Sequence, residues 1–319
     1  MRTLITGGTG FIGAEIARMI LAADPDADLH VTTRSNNLGR LAGIEDRVQL
    51  HHFDLADRSS IEKVVSDVSP QRMYHFGAML TGPGEADPQT LLELNAVGYI
   101  HTIEAARQAG VEQMIFASSI GTYGRDVGEG AIDDLTLQRP VTVYGVTKVF
   151  GESLGAYYRQ KYGLDYRGIR YPSIVGPGVT TWSLAQYTSW MIEKPALGEP
   201  FEVWVPPEQV VAIQYYKDAA RAAVELADAP ADDITSINYL VNGPTPTPTA
   251  GEMADAVRRH LPDAEITFAS DAAALPRSVI IDDAGARNEW GWTPNYDLDA
   301  MIAEMISEAQ ANGSNGTGA

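Results

Sequence analysis

Residues 3–13 read Thr3-Leu4-Ile5-Thr6-Gly7-Gly8-Thr9-Gly10-Phe11-Ile12-Gly13, and apolar residues then recur at helical spacing through Leu21. A short apolar run that breaks into glycine and resumes as an amphipathic stretch predicts strand, turn and helix. Glycine at 7 allows a tight turn, glycine at 10 lets backbone approach a pyrophosphate, and glycine at 13 lets helix lie close against strand. The helix N-terminus that follows offers free N–H groups and the positive end of a dipole to an anion. An ordinary glycine-rich turn is the competing reading, and the strand–turn–helix context speaks against it. The stretch therefore predicts a dinucleotide site at Gly7, Gly10, Phe11, Ile12 and Gly13.

Working outward, the same rhythm continues for 170 residues. Candidate strands at Thr3–Thr6, Leu29–Thr33, Val48–Phe53, Met73–Phe76, Met114–Ala117 and Tyr166–Arg170 alternate with amphipathic stretches at Ile12–Leu21, Ile61–Val68 and Leu91–Ala109. That alternation predicts an α/β fold, a doubly wound parallel sheet with a smaller C-terminal lobe. Residues 1–172 form the dinucleotide-binding domain in this reading, with 211–242 returning to it. Residues 173–210 and 243–310 form a substrate lobe, with a helix at Leu184–Glu193 and another at Ala250–His260 capped by Thr249. The Gly/Asn/Ser-rich end, 311–319, reads as a disordered tail.

The end of the second strand reads the cofactor ribose. An NAD site places a carboxylate there for the 2′-hydroxyl. This chain has Thr33 and Arg34, and Arg34 can pair with a 2′-phosphate, so the cofactor is NAD or NADP with the balance towards NADP. A solvated loop arginine is the bland alternative. Asp54 and Leu55, ending the third strand, are placed for the adenine ring, or Asp54 simply caps a turn.

Tyr144 and Lys148 stand one helical turn apart, a spacing suited to proton transfer at an alcohol. A free phenol titrates near ~10. A neighbouring ammonium and a positive nicotinamide would both favour its phenolate. Ser119, at a strand end 25 residues earlier, can orient the substrate oxygen. Asn95 is a candidate to hold a relay water near Lys148, its alternative being a helix-packing amide. Catalytic Ser119, Tyr144, Lys148 and Asn95 thus make a proton-transfer constellation.

Bulk composition bounds the rest. A formal charge of −19 leaves no basic surplus for nucleic acid or an anionic membrane. Five lysines against eighteen arginines in an acidic chain fit either a surface kept soluble at high salt or a GC-rich genome. Without cysteine there is no disulfide or thiolate chemistry, and the six histidines show no metal-ligand spacing, so no metal is expected. No apolar run reaches membrane length. The N-terminus runs straight into the glycine motif, which leaves no signal peptide and makes the cytoplasm the expected location.

Together, GGTGFIG from residue 7, HFGA at 75–78, Asn95, SSIGTYG at 118–124 and YGVTK at 144–148 resemble the extended short-chain dehydrogenase/reductase (epimerase/dehydratase) family across the first domain. The resemblance implies a Rossmann domain, Ser–Tyr–Lys chemistry with hydride transfer, and a homodimer through helices near 92–108 and 143–162. It adds Phe76, Gly77, Ala78, Tyr171, Pro172 and Ile174 to the cofactor site. LTGPGE at 80–85, GVTT at 178–181 and DDAGARNEWGW at 282–292 are similar to the short-chain L-threonine 3-dehydrogenase branch. That branch implies a small-molecule pocket from Leu80, Thr81, Ser119, Tyr144, Thr180, Thr181 and Trp182. The chain departs from the branch at Thr33-Arg34, where an Asp is usual, and at Trp182-Ser183, where Asp-Tyr is usual. Two rival readings are a nucleotide-sugar epimerase or dehydratase and a non-catalytic nucleotide sensor. The first needs cations for a diphosphate, yet 171–220 holds no arginine, only Lys194 and Lys217, with Arg277 also available. The second typically lacks the Tyr/Lys pair.

Overall fold

The computed structural model describes residues 1–35, 37–124, 126–127, 130–275 and 279–316. In chain order the first elements are β1 (Thr3–Thr6), α1 (Phe11–Ala23), β2 (Leu29–Thr33), β3 (Gln49–His52), α2 (Arg58–Val68), β4 (Arg72–His75), α3 (Thr81–Ala86), α4 (Pro88–Leu92), α5 (Gly98–Gln108) and β5 (Gln113–Ser119). Then come β6 (Ala131–Ile132), α6 (Val143–Tyr162), β7 (Asp165–Tyr171), β8 (Ser173–Val175), α7 (Tyr187–Ala196), β9 (Phe201–Val203), β10 (Ile213–Tyr215) and α8 (Tyr216–Asp228). The chain closes with β11 (Asn238–Leu240), α9 (Ala250–His260), β12 (Ile266–Phe268), β13 (Ile280–Ile281), α10 (Ala284–Trp290) and α11 (Leu298–Gly316).

Seven strands form one parallel sheet in the order β11-β7-β5-β4-β1-β2-β3. All four residues of β1 are buried, because helices cover both faces. On one face α1 packs on α8, where Ile16, Leu21, Ala219 and Leu226 share a core. On the other, α2 packs on α5, where Val64, Val65, Ile103 and Tyr99 share a second core. Strand order reverses between β1 and β4, the place where a doubly wound sheet opens a ligand crevice at its carboxyl edge. A third core lies apart from the sheet, built from Met191 and Ile192 of α7, Val203 of β9, Met253 of α9 and Met301 and Met305 of α11.

Local signals explain the boundaries. Thr249 and Glu252 form a reciprocal capping box at the start of α9, and Gly163 ends α6 with φ +74°. Two sequence expectations change. The continuous helix over Leu91–Ala109 is instead α4, a π-helical stretch at Glu93–Val97, and α5. Apolar periodicity cannot register one inserted residue, and π-bulges gather at functional sites. The helix expected from Leu184 begins at Tyr187. At the far end α11 runs to Gly316, so residues 311–316 of the expected tail are helical, while 317–319 lie outside the described residues. No helix among the described residues is long and apolar enough to cross a membrane.

Candidate active site

The crevice at the strand reversal is built by backbone contact. Gly7 follows β1 with φ +67°, and a Cβ there would sit 2.7 Å from the Gly77 nitrogen at the end of β4. Only a residue without a side chain lets the two strand ends meet so closely. Gly10 is the N-cap of α1, which has no side-chain cap and no acidic residue in its first turn. Its first N–H groups are thus left for an anion. The Gly7 amide donates to Thr32 Oγ1 (3.1 Å), which ties the loop to β2.

A cavity of about 550 Å³ runs from this loop along the ends of β2, β3 and β4. Gly7, Gly10, Thr33, Arg34, Asp54, Leu55, Phe76, Gly77 and Ala78 line it, all expected from the sequence. Arg34 is exposed beside Thr33, and among the described lining residues Asp54 alone carries a carboxylate. The Ala56 amide donates to Asp54 Oδ1 (3.0 Å), so the turn-capping reading of Asp54 holds alongside its place on the wall. A shape that accepts a dinucleotide at a glycine cradle fits the nicotinamide cofactor class.

A second cavity of about 380 Å³ continues from Gly10, Phe11, Ile12 and Gly13 to Ser119, Tyr144, Lys148, Tyr171, Pro172 and Ile174, with Leu80, Thr81, Thr181 and Trp182 across the cleft. Thr180 is exposed and lines neither cavity, a correction to the pocket expected from the sequence. The chain turns there so that Thr181, one residue on, faces both. The Trp182 backbone packs directly on the start of α3: a Cβ on Gly82 would lie 2.1 Å from the Trp182 carbonyl oxygen.

Two further close approaches set Tyr144 against Ser119. Gly145 of α6 passes Gly121 so tightly that a Cβ would lie 2.2 Å from the Gly121 oxygen. The Gly121 amide donates to Ser119 Oγ (3.0 Å). Thr142 caps α6 by accepting from the Gly145 amide (3.0 Å), and Glu85 Oε1 accepts from the Tyr144 amide (3.1 Å). Neither Gly145, Gly121 nor Glu85 stood out as a positioning group in the sequence, although both glycines sit inside the quoted motifs.

Electrostatics at this end differ from the first expectation. Burial pushes the Tyr144 phenol up to about 12, and the Ser119 hydroxyl beside it offsets only part of that. Without bound cofactor, desolvation of the phenolate therefore outweighs any help from Lys148. Lys148 is itself buried, and its ammonium donates to the Ala117 carbonyl (2.8 Å) and lies 5.3 Å from the Tyr144 ring centroid. Burial lowers it to about 8, with Glu152 pulling the other way. His75, bonded to Thr6 Oγ1 (2.9 Å), is held near 3 by burial and by Lys148, and so stays neutral.

Asn95 is buried in the π-helical stretch and clamps Met79 at both ends: Oδ1 accepts from the Met79 amide (2.8 Å) and Nδ2 donates to the Met79 carbonyl (2.9 Å). Its side chain ties down the wall after β4, and its Nδ2 also lies 3.5 Å from Thr147 Oγ1 of α6. Gln186 was missed altogether. It is buried at the edge of the second cavity and its Nε2 has no partner in the protein. Arg277, the candidate cation for a diphosphate, lies outside the described residues.

Comparison with known proteins agrees with this geometry. Residues 3–241 match the NAD dependent epimerase/dehydratase family. The mitochondrial L-threonine 3-dehydrogenase of Sus scrofa is 29% identical over 316 residues, covering 96% of this chain and 82% of that protein. The structure of L-threonine 3-dehydrogenase from Trypanosoma brucei superposes with TM-score 0.87 at 28% identity, over 97% of each chain. The GalE-like L-threonine dehydrogenase from Cupriavidus necator superposes at 0.86 and 28%, over 96% of this chain and 99% of that one. The chain belongs to the NAD dependent epimerase/dehydratase family and is an NAD-dependent oxidoreductase of its extended short-chain dehydrogenase kind.

Proposed function

We propose that the enzyme oxidises a small secondary alcohol, or reduces the matching ketone, with Ser119, Tyr144 and Lys148 as its catalytic groups and L-threonine as the first substrate to try. The observation that carries this is one continuous cleft: Gly7 and Gly10 line both cavities, and Ser119, Tyr144 and Lys148 line the second. The relatives named for threonine support the choice of substrate. Against a nucleotide sugar stands the arginine-free stretch over 171–220.

Gly7, Gly10, Phe11, Ile12 and Gly13 would hold the pyrophosphate, and Lys148 the nicotinamide-side ribose. When bound, the cofactor supplies the hydride acceptor and a positive ring. Ser119 Oγ orients the substrate oxygen, and Tyr144 removes the hydroxyl proton as the C–H bond breaks. The buried Lys148 ammonium biases Tyr144 towards phenolate, which matters more once the cleft is closed to water. The Gly145–Gly121 contact keeps the two hydroxyls in register.

Arg34 supports NADP as an accepted cofactor beside NAD. An exposed apolar row supports a homodimer: Val97 at the end of the π-helical stretch, Ile100 on α5, and Val146, Phe150 and Tyr157 on α6. We also read residues 1–172 with 211–242 as the cofactor domain and the remainder to 310 as the substrate lobe.

The test is reduction of NAD and NADP in parallel, followed by the near-ultraviolet absorbance of the reduced nicotinamide, with L-threonine present. Turnover with either supports the reading. Absence of turnover with threonine and with other small secondary alcohols, on protein shown to bind cofactor, overturns it.

A further inference from the structure

Beyond Ser119 and Tyr144 the cleft opens into a third cavity of about 220 Å³, with Thr81, Ser119 and Tyr144 on the wall it shares with the cofactor side. Its far walls are aliphatic: Ile120, Val141, Leu184, Val211, Leu275 and Val279. They come from five separate chain segments, and Val211 and Val279 are 7% and 4% exposed. Tyr123 also lines it, but its hydroxyl is engaged with Arg170 Nη1 (2.8 Å) and the Asp133 carbonyl (3.1 Å). The described lining residues carry no carboxylate, ammonium or guanidinium.

The exposed lining residues give a second observation. Leu184 (50% exposed) and Val141 (63%) line this cavity, and Trp182 (54%) and Leu80 (48%) line the adjoining one. Four large apolar side chains left in water along two adjoining cavities mark a surface that something apolar covers. The cavity adjoins the reacting hydroxyls, so the occupant is part of the substrate.

We propose that this chamber binds an aliphatic arm on the carbinol carbon, so that the preferred substrate is a secondary alcohol whose arm has several carbons where threonine has a methyl group. This rests on the hydride-transfer reading above. With the hydroxyl between Ser119 and Tyr144, the arm on one side lies along Ile120, Val211 and Val279, and the remaining substituent faces Thr181 and Trp182. The methyl group of threonine would leave most of the chamber empty, and an apolar cavity of this kind gains from each methylene that fills it.

The experiment uses the whole enzyme saturated with its better cofactor, L-threonine, and β-hydroxy amino acids and 2-alkanols with arms lengthened one carbon at a time. Calorimetric binding and turnover are read for each. We expect kcat/KM to rise about fourfold per methylene until the chamber is full, carried by KM. Leu184→Asp, a half-exposed position that tolerates charge, should lower kcat/KM for the longest good substrate at least tenfold and much less for threonine. Val211→Ala should move the optimum to a longer arm. Turnover that stays flat or falls with arm length overturns the proposal and leaves the hydride-transfer reading intact. Tight binding of long arms with no turnover by any member overturns the hydride-transfer reading instead and supports the chamber.

Discussion

Replacing Glu152 by Gln should cost about 3 kcal/mol of stability, the low end of the ~3–5 kcal/mol for unpairing a buried charge. Glu152 sits on α6 one turn past Lys148 and is 3% exposed; Arg170, its partner at the end of β7, is 6% exposed. The carboxylate takes Arg170 Nε (2.9 and 3.2 Å) and Nη2 (2.8 Å), Ser118 Oγ (2.5 Å) and Gln138 Nε2 (2.9 Å). Glutamine keeps the volume but strands the guanidinium, and its amide turns a donor towards groups that donate. Arg170 retains the Tyr123 hydroxyl (2.8 Å) and the Asp134 carbonyl (2.9 Å), which is why the low end applies. Urea unfolding of both proteins at neutral pH measures the difference, with an unchanged m-value as the control on the denatured state. The same change removes the one charge that raises Lys148, so that group should fall below about 8 and shift the activity profile to lower pH. A loss under about 1 kcal/mol, with the profile unmoved, would refute the argument that this pair is buried, coupled and felt by Lys148.

Gly13→Ala places a methyl group 2.5 Å from the Gly7 oxygen and 2.9 Å from the Gly8 Cα; the loop must shift, and cofactor affinity should fall at least tenfold in a fluorescence titration while the fold survives by circular dichroism. Arg34→Ala should weaken NADP binding about tenfold or more and leave NAD nearly unchanged, measured as the ratio of the two dissociation constants. Lys148 has its folded pKa near 8, below the ~10.5 of the unfolded chain. The unfolded state therefore binds more protons between those values, and this group makes the fold more stable as pH rises through that window. The stability of the wild type relative to Lys148→Met should accordingly climb by up to about 3 kcal/mol from pH ~7 to ~10.5.

The parts of the fold written in local pattern were legible. Gly7, Gly10 and Gly13 announced the crevice because each glycine answers a backbone constraint within one turn, and Thr249 announced α9 because a capping box spans only four residues. What pairs at a distance was not legible. Glu152 and Arg170 are two charges eighteen residues apart, and nothing in the sequence says that α6 lays one over the end of β7. Asn95 shows the same limit: its position in the motif was plain, but its clamp on Met79 depends on a π-helical insertion that apolar spacing cannot register. Thr180 and Thr181 are chemically alike, and only the turn after Gly178 decides that the second faces the cleft. The aliphatic chamber was invisible for the plainest reason, since its walls come from residues spread between 120 and 279.

Tyr144 is the proposed proton acceptor of the intact enzyme, and Tyr144→Phe tests that role most directly. Cofactor binding and turnover should be measured on the same preparation, with the substrate that the wild type turns over best. The phenol lines the cleft but not the glycine cradle, so cofactor affinity should stay within about twofold, while kcat falls by the ~10²–10⁴-fold typical of a lost general base. Turnover within tenfold of the wild type would contradict the assignment and move the proton transfer to another group in the cleft.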